Sequence, residues 1–170
     1  MLTKDTLLLA PNKVITCRHL KPGDEAFLYE VYASTRQEEL ASVNWDYEQK
    51  ESFLKMQFTA QHKYYQENYS QTEFLIILLN KIPIGRLYID YRQDEIRLID
   101  IALLPAYRNQ GIGKIFLKEI ITKGQQLGLP IRLHVETYNP ALKLYERLGF
   151  QFLEERGVYY FMELVPGKRL

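Results

Sequence analysis

Cysteine is almost absent from this 170-residue chain. Cys17 is the only one, so no intramolecular disulfide can form. A cytoplasmic protein is the default expectation for such a chain. Histidine is nearly as scarce: His19, His62 and His134 stand far apart and show no metal-ligand spacing, so no metal is expected. Excess charge is missing too. Twenty-two Lys and Arg face 21 Asp and Glu, a net charge of +1. That speaks against a dedicated nucleic-acid binder, whose surface would carry a clustered basic excess. No run of about 18 apolar residues occurs, so no membrane span is expected. The stretch Met1 to Val14 holds the short apolar run Leu7-Leu8-Leu9-Ala10, too short and too lightly basic for a signal peptide. Repeats, low-complexity tracts and linkers are also lacking, and the length fits one domain over residues 1–170.

What is abundant is aromatic: 13 Tyr, 8 Phe and one Trp. Such rings fill cores, and some can line a substrate pocket.

The hydrophobic periods order the chain. Lys13–Leu20 alternates and reads as a strand. Pro22-Gly23-Asp24 breaks it, and Asp24 is placed to cap a helix reaching about Thr35, with Phe27, Leu28, Val31 and Tyr32 at helical spacing. A second helix covers Tyr47 to Tyr65. Glu73–Leu79, Lys81–Tyr91 and Glu95–Pro105 read as three strands joined by turns at Asn80-Lys81 and Gln93-Asp94, most simply an antiparallel meander. "KIFLKEIITKGQQLG" is a helix ended by Gly128, and Ile131–Glu136 is a strictly alternating strand. "NPALKLYERLG" reads as a short helix capped by Asn139, with Pro140 in its first position. Two strands around Gly157 follow. The expected order is β-α-α-β-β-β-α-β-α-β-β. This is an α+β (mixed α/β) domain: a mostly antiparallel sheet of about seven strands flanked by about four helices.

Between the third strand of the meander and the next helix lies Arg108-Asn109-Gln110-Gly111-Ile112-Gly113. A helix start leaves backbone N–H groups without partners and carries partial positive charge. Two glycines let a ligand approach that backbone closely, and Arg108 can add a charged contact, so the turn suits a phosphate or pyrophosphate. A P-loop is excluded, because Arg108 stands where its first glycine belongs and Ile115 follows Gly113-Lys114. A dinucleotide fingerprint would need a third glycine at Phe116, and the preceding strand belongs to a meander. A plain strand-to-helix turn is the remaining alternative.

This hexapeptide resembles the acyl-CoA loop [RQ]-x-x-G-x-[GA] of the GNAT N-acetyltransferase superfamily. "IALLPAYR" before it resembles that family's entry to the loop, and "NPALKLYERLGF" (Asn139–Phe150) resembles its second signature. The element order matches along the whole chain. The resemblance implies an N-acetyltransferase that binds acetyl-CoA in a cleft between the strand Glu95–Pro105 and the strand Ile131–Glu136. The amides of Asn109, Gln110, Gly111, Ile112, Gly113 and Lys114, together with Arg108, would cradle the pyrophosphate. The backbone of Leu103 and Leu104 would pair with the pantetheine arm, and the Leu103 N–H would polarise the thioester. Asn139 would touch the pantetheine, and Tyr145 would act as general acid toward the leaving thiolate. By itself Tyr145 also reads as a packed aromatic and Asn139 as a helix cap.

The implied acceptor is an amine, whose proton must go to a base. Asp100, His134 and Glu136 are the candidates, and no motif selects among them. Trp45, Tyr47 and Glu38, in "STRQEELASVNWDYEQ", mix acids with aromatics and suit a cationic acceptor. The same stretch also reads as a solvated helix end with a core Trp. A homodimer is one assembly the resemblance implies; no nucleic-acid or membrane partner is expected. The rival reading is a catalytically silent acyl-CoA-binding module on the same fold.

Overall fold

The computed structural model describes residues 6–167, so the first five residues of the N-terminal stretch lie outside it. Eight strands and four helices follow one another: β1 (Leu7–Ala10), β2 (Lys13–His19), α1 (Glu25–Ala41), α2 (Tyr47–Asn68), β3 (Thr72–Leu79), β4 (Ile82–Tyr91), β5 (Ile96–Leu103), α3 (Ile112–Leu127), β6 (Ile131–Glu136), α4 (Leu142–Arg147), β7 (Gln151–Arg156) and β8 (Tyr159–Leu164). They form one sheet in the order β1-β2-β3-β4-β5-β6-β8-β7. The expected α+β architecture is present with one strand more than expected. The apolar run Leu7–Ala10 is that strand, pairing antiparallel with β2.

The chain forms two compact units. One holds the chain up to Leu87 together with Ile101–Arg108, the other Tyr88–Asp100 together with the chain from Asn109 on. In the first, β2 pairs antiparallel with β3 from Ile15↔Leu79 to His19↔Leu75. Asn80 and Lys81 take φ of 48° and 69°, the two-residue hairpin geometry that joins β3 to β4. The Asn80 side chain fastens that turn to the start of β2, accepting from the Val14 N–H at 2.9 Å and donating to the Asn12 carbonyl at 3.0 Å.

Helix α1 runs to Ala41, past the expected end near Thr35. Leu40 returns to the core and Arg36 pairs with Glu39 one turn on, so the polar stretch between them stays helical. Asp24 sits at the N-cap position without capping. Its carboxylate accepts both guanidinium bonds of Arg18, at 2.7 and 2.8 Å, and the Lys21 N–H at 2.8 Å, tying β2 to the helix entry. Helix α2 begins with a reciprocal capping box between Asp46 and Gln49. It buries only Leu54 and Phe58, and Tyr29 and Tyr32 of α1 pack their rings on Phe58.

In the second unit, β5 and β6 are parallel, the two chain ends of the α3 crossover. β6 pairs antiparallel with β8, and β8 with β7. Helix α3 starts at Ile112, two residues before the expected apolar run, and buries Ile112, Phe116, Leu117 and Ile120. The second signature also differs from expectation. Helix α4 starts at Leu142, not at Pro140. Asn139 instead makes a local turn, its side chain accepting from the Ala141 N–H at 2.9 Å. Tyr145 is therefore the fourth helical residue, one turn in rather than two.

Candidate functional site

The glycine turn is built as a helix N-terminus should be if its amides are to stay open. Gly111 is the N-cap of α3 at φ 86°, a left-handed conformation that L side chains adopt only with strain, and it offers no capping side chain. Gly113 lies in the first helical turn with an ordinary φ, and a Cβ there would meet no atom within 4 Å. Neither backbone conformation nor packing in this chain calls for glycine at 113, although glycine costs a helix about 1 kcal/mol relative to alanine. Open space at a helix N-terminus leaves room for an anionic group.

Arg108 precedes this turn, and its side chain is already engaged. Its Nε donates to the Leu103 carbonyl at 2.8 Å and its Nη2 to Ser34 Oγ at 3.0 Å. Among the expected site residues, Arg108 and Leu103 are thus in direct contact. Leu104 donates its N–H to the Ile84 carbonyl at 2.9 Å.

β5 and β6 pair over Ile96↔Ile131, Arg97↔Arg132 and Leu98↔Leu133, and no described pairing continues beyond them. Asp100 lies two residues past the last pair. Its charge acts on Tyr145, which is buried in α4 with its ring edge against Phe150. Burial, and after it the Asp100 carboxylate, push the phenol well above its ordinary range, so it stays protonated at every working pH.

His134 belongs to a different set of residues. It stacks on Phe161 at 4.7 Å, with Arg97 3.5 Å from Nδ1 and Arg156 3.3 Å from Nε2. Burial and the two positive charges lower its pKa. Both guanidinium groups also lie over the Phe161 ring. Tyr145 is not among the described contacts of His134. Beside it, buried Glu95 gathers Arg92, Arg97 and Arg132, and Arg132 continues to Glu163 at 2.7 Å. Glu136 ends β6, its carbonyl accepting the N–H of Asn139.

Trp45 packs edge-on against Phe53 in the α1–α2 connection. Tyr47 is 78% exposed and Glu38 faces solvent, while Trp45, 40% exposed, is not the core residue that the solvated reading expected. Two open depressions lie elsewhere. One of about 510 Å³ is lined by His19, Lys21, Glu25 and His62, and one of about 720 Å³ by Ile121, Arg147 and Glu163. Neither includes the glycine turn.

Sequence reasoning missed Ser34 and Gly85. Ser34 carries no motif. Gly85 does leave a signal, since a glycine inside a strand pattern flags close backbone approach. A Cβ there would stand 2.3 Å from the Ala102 carbonyl oxygen.

The sequence model of the acetyltransferase (GNAT) family matches residues 27–150. The chain belongs to that family. The match takes in both signatures of this GNAT member and the elements from α1, less its first two residues, to α4. Among curated relatives, the ribosomal protein bS18-alanine N-acetyltransferase of Haemophilus influenzae is 38% identical over 68 residues, 39% of this chain and 47% of that protein. The Escherichia coli K12 protein of the same name is 38% identical over 69 residues, with the same coverage. The chain therefore matches about half the length of these relatives. Among solved structures, the PaiA N-acetyltransferase of Thermoplasma acidophilum, in complex with coenzyme A, superposes with a TM-score of 0.65 at 24% identity, over 89% of this chain and 98% of that one. The Escherichia coli ribosomal-protein-S18-alanine N-acetyltransferase gives 0.61 at 20% identity, over 91% and 96%. At that identity the structures speak for the GNAT fold alone.

Proposed function

We propose that this chain is an acetyl-CoA-dependent N-acetyltransferase acting by direct attack of an amine on the thioester. The observation that carries the reading is the left-handed Gly111 cap at the start of α3, with open space beside Gly113, within the acyl-CoA signature of a chain that belongs to the GNAT family. The amides from Asn109 to Lys114 hold the pyrophosphate. Leu103 and Leu104 hold the pantetheine arm, and Asn139 touches it.

In the reaction the amine nitrogen bonds to the acetyl carbon, the carbon–sulfur bond breaks, and the thiolate leaves. Tyr145, kept protonated by burial and Asp100, donates a hydrogen bond to that sulfur and shares its proton with it. The same carboxylate disfavours a free phenolate, so solvent completes the thiol's protonation. Asp100 is then the neighbour of the acid more than the base for the amine. Glu136 and His134, reached through water, remain the candidates for that second proton. Covalent catalysis through Cys17 is disfavoured, because burial and the nearby Glu73 carboxylate push its thiol up to about 12.

The acceptor is an amine. The names of two relatives make a peptide N-terminus the first acceptor to test. An α-amine with a pKa of about 8 is partly neutral at pH 7 and needs less help from a base than a lysine at about 10.4. The cytoplasm, with its acetyl-CoA and unpaired thiols, is the compartment this reading requires.

Parallel calorimetric titration with acetyl-CoA, coenzyme A, ATP and NAD tests the cofactor class. Selective binding of the two CoA species is expected. Peptides with different first residues, assayed by thiol release, then test the acceptor. Absence of CoA binding would reduce residues 108–113 to a structural turn.

A further inference from the structure

The end of β5 is held by contacts that no motif announces. The Leu103 carbonyl and the Leu104 N–H belong to one peptide group. Arg108 Nε donates to its oxygen at 2.8 Å, and its N–H donates to the Ile84 carbonyl at 2.9 Å. That peptide plane is bound from both sides. The preceding plane, which carries the Ala102 carbonyl and the Leu103 N–H, lies against Gly85 of β4. A Cβ on Gly85 would stand 2.3 Å from the Ala102 oxygen and 3.1 Å from Leu103 Cα, so only glycine admits this approach. The other arm of the Arg108 fork is anchored as well. Its Nη2 donates to Ser34 Oγ at 3.0 Å, and buried Ser34 donates its own proton to the Val31 carbonyl at 2.7 Å, leaving its oxygen free to accept.

We infer that Arg108, Ser34 and Gly85 are positioning residues that fix two successive peptide planes at Ala102–Leu104. Arg108 thereby acts on the ligand through the chain's own backbone, not as a charge aimed at the pyrophosphate. The inference rests on the acyl-CoA reading above, in which Leu103 and Leu104 pair with the pantetheine arm. The planar guanidinium fork suits the task, since two bonds to two different elements fix its orientation, which a point charge would not. Small displacements of such a segment are costly, because the thioester must be held in reacting geometry.

Coenzyme A and pantetheine, which lacks the pyrophosphate and the nucleotide, separate the two roles. Both are titrated into the full chain, with thermal unfolding followed in parallel. Arg108→Ala is expected to weaken both ligands by the same factor, roughly tenfold, as for one lost hydrogen bond from a charged donor. Ser34→Ala frees the guanidinium without touching a ligand group. It is expected to weaken both ligands equally by a smaller factor, and it decides the matter if Arg108→Ala melts early. A loss confined to coenzyme A, or no loss of pantetheine affinity in either variant, would overturn the inference and make Arg108 a phosphate ligand. Wild-type protein that binds neither ligand would overturn the acyl-CoA reading, and this inference with it.

Discussion

Gly85 and Ala102 approach so closely that a single added methyl group on Gly85 would stand 2.3 Å from the Ala102 carbonyl oxygen. The obstacle is backbone, which cannot swing aside as a side-chain tip can. Gly85→Ala should therefore destabilise the fold by about 1–3 kcal/mol, the usual cost of overpacking. Urea unfolding measures this. A midpoint equal to wild type would mean that the two strands are not this close.

The two glycines of the α3 turn should respond in opposite ways. Gly111→Ala forces a Cβ into a left-handed cap and should cost about 1–2 kcal/mol. Gly113→Ala sits in open space at ordinary φ and should stabilise the protein by about 0.5–1 kcal/mol. The family pattern admits alanine there, so coenzyme A affinity should stay within a few fold. Gly111→Glu should abolish it, by setting a carboxylate against the pyrophosphate. Survival of CoA affinity in that variant would remove the phosphate site from this turn.

Tyr145→Phe keeps the ring and removes the proton. Turnover should fall by roughly a hundredfold, the lower end of what a positioned acid contributes, with little change in CoA affinity. Because the phenol is held protonated, wild-type turnover should show no loss from its ionisation up to pH 10. A rate-against-pH profile checks both points. An unchanged rate in the variant would hand the proton to water.

Glu95 ties three arginines together from a buried position. Burial pushes its carboxyl upward. Hydrogen bonds from Arg132 and Arg97, with the charges of Arg97 and Arg92, outweigh that and hold it below the ordinary carboxylate range. A lowered folded-state pKa gives stability that is complete above the unfolded value near 4.5 and is lost as pH falls through the folded one. Glu95→Gln should cost about 3 kcal/mol at pH 7, since the arginines left behind are partly exposed. The gap from wild type should narrow below pH 4.5. Unfolding curves at pH 7 and pH 4 test this, and an equal gap at both would remove the ionised Glu95 from the account.

His134 should titrate below 6.5, its ring disfavoured as a cation by burial and by Arg97 and Arg156. Here the folded-state pKa lies under the unfolded one. The contribution is intact above pH 6.5 and declines as pH falls from 6.5 toward the folded value. Arg156→Gln should move the midpoint upward, as read from the imidazole proton shifts in NMR. A midpoint that stays put would mean that burial alone sets it.

Some of this was written in local sequence. The Asn80-Lys81 hairpin, the Gly128 helix end and the strict alternation of Ile131–Glu136 were all legible, because turn chemistry and side-chain period are properties of neighbours in the chain. Local signals also misled. Asn139 read as a cap, but it lies three residues before α4 begins, and its side chain closes a turn on Ala141. The polar stretch after Thr35 read as a helix end, yet Leu40 carries α1 onward. Leu7–Ala10 was weighed only as a signal peptide, yet β2 offers it a ladder. For Leu40 and Leu7–Ala10, burial and strand pairing outweighed the local preference, whereas at Asn139 one local bond displaced another.

The sequence by itself determined the element order from β2 onward, the family and the glycine turn, since those depend on residue types at fixed spacing. The tertiary structure decided what the residues around the turn do. It turned Arg108 back onto Leu103 and Ser34, set Asp100 to act on Tyr145, and placed His134 between two arginines. Hydrogen bonds and charge act through space over a few ångströms. Their partners here stand 5, 74, 45, 37 and 22 residues apart in sequence, and only the fold brings them within reach.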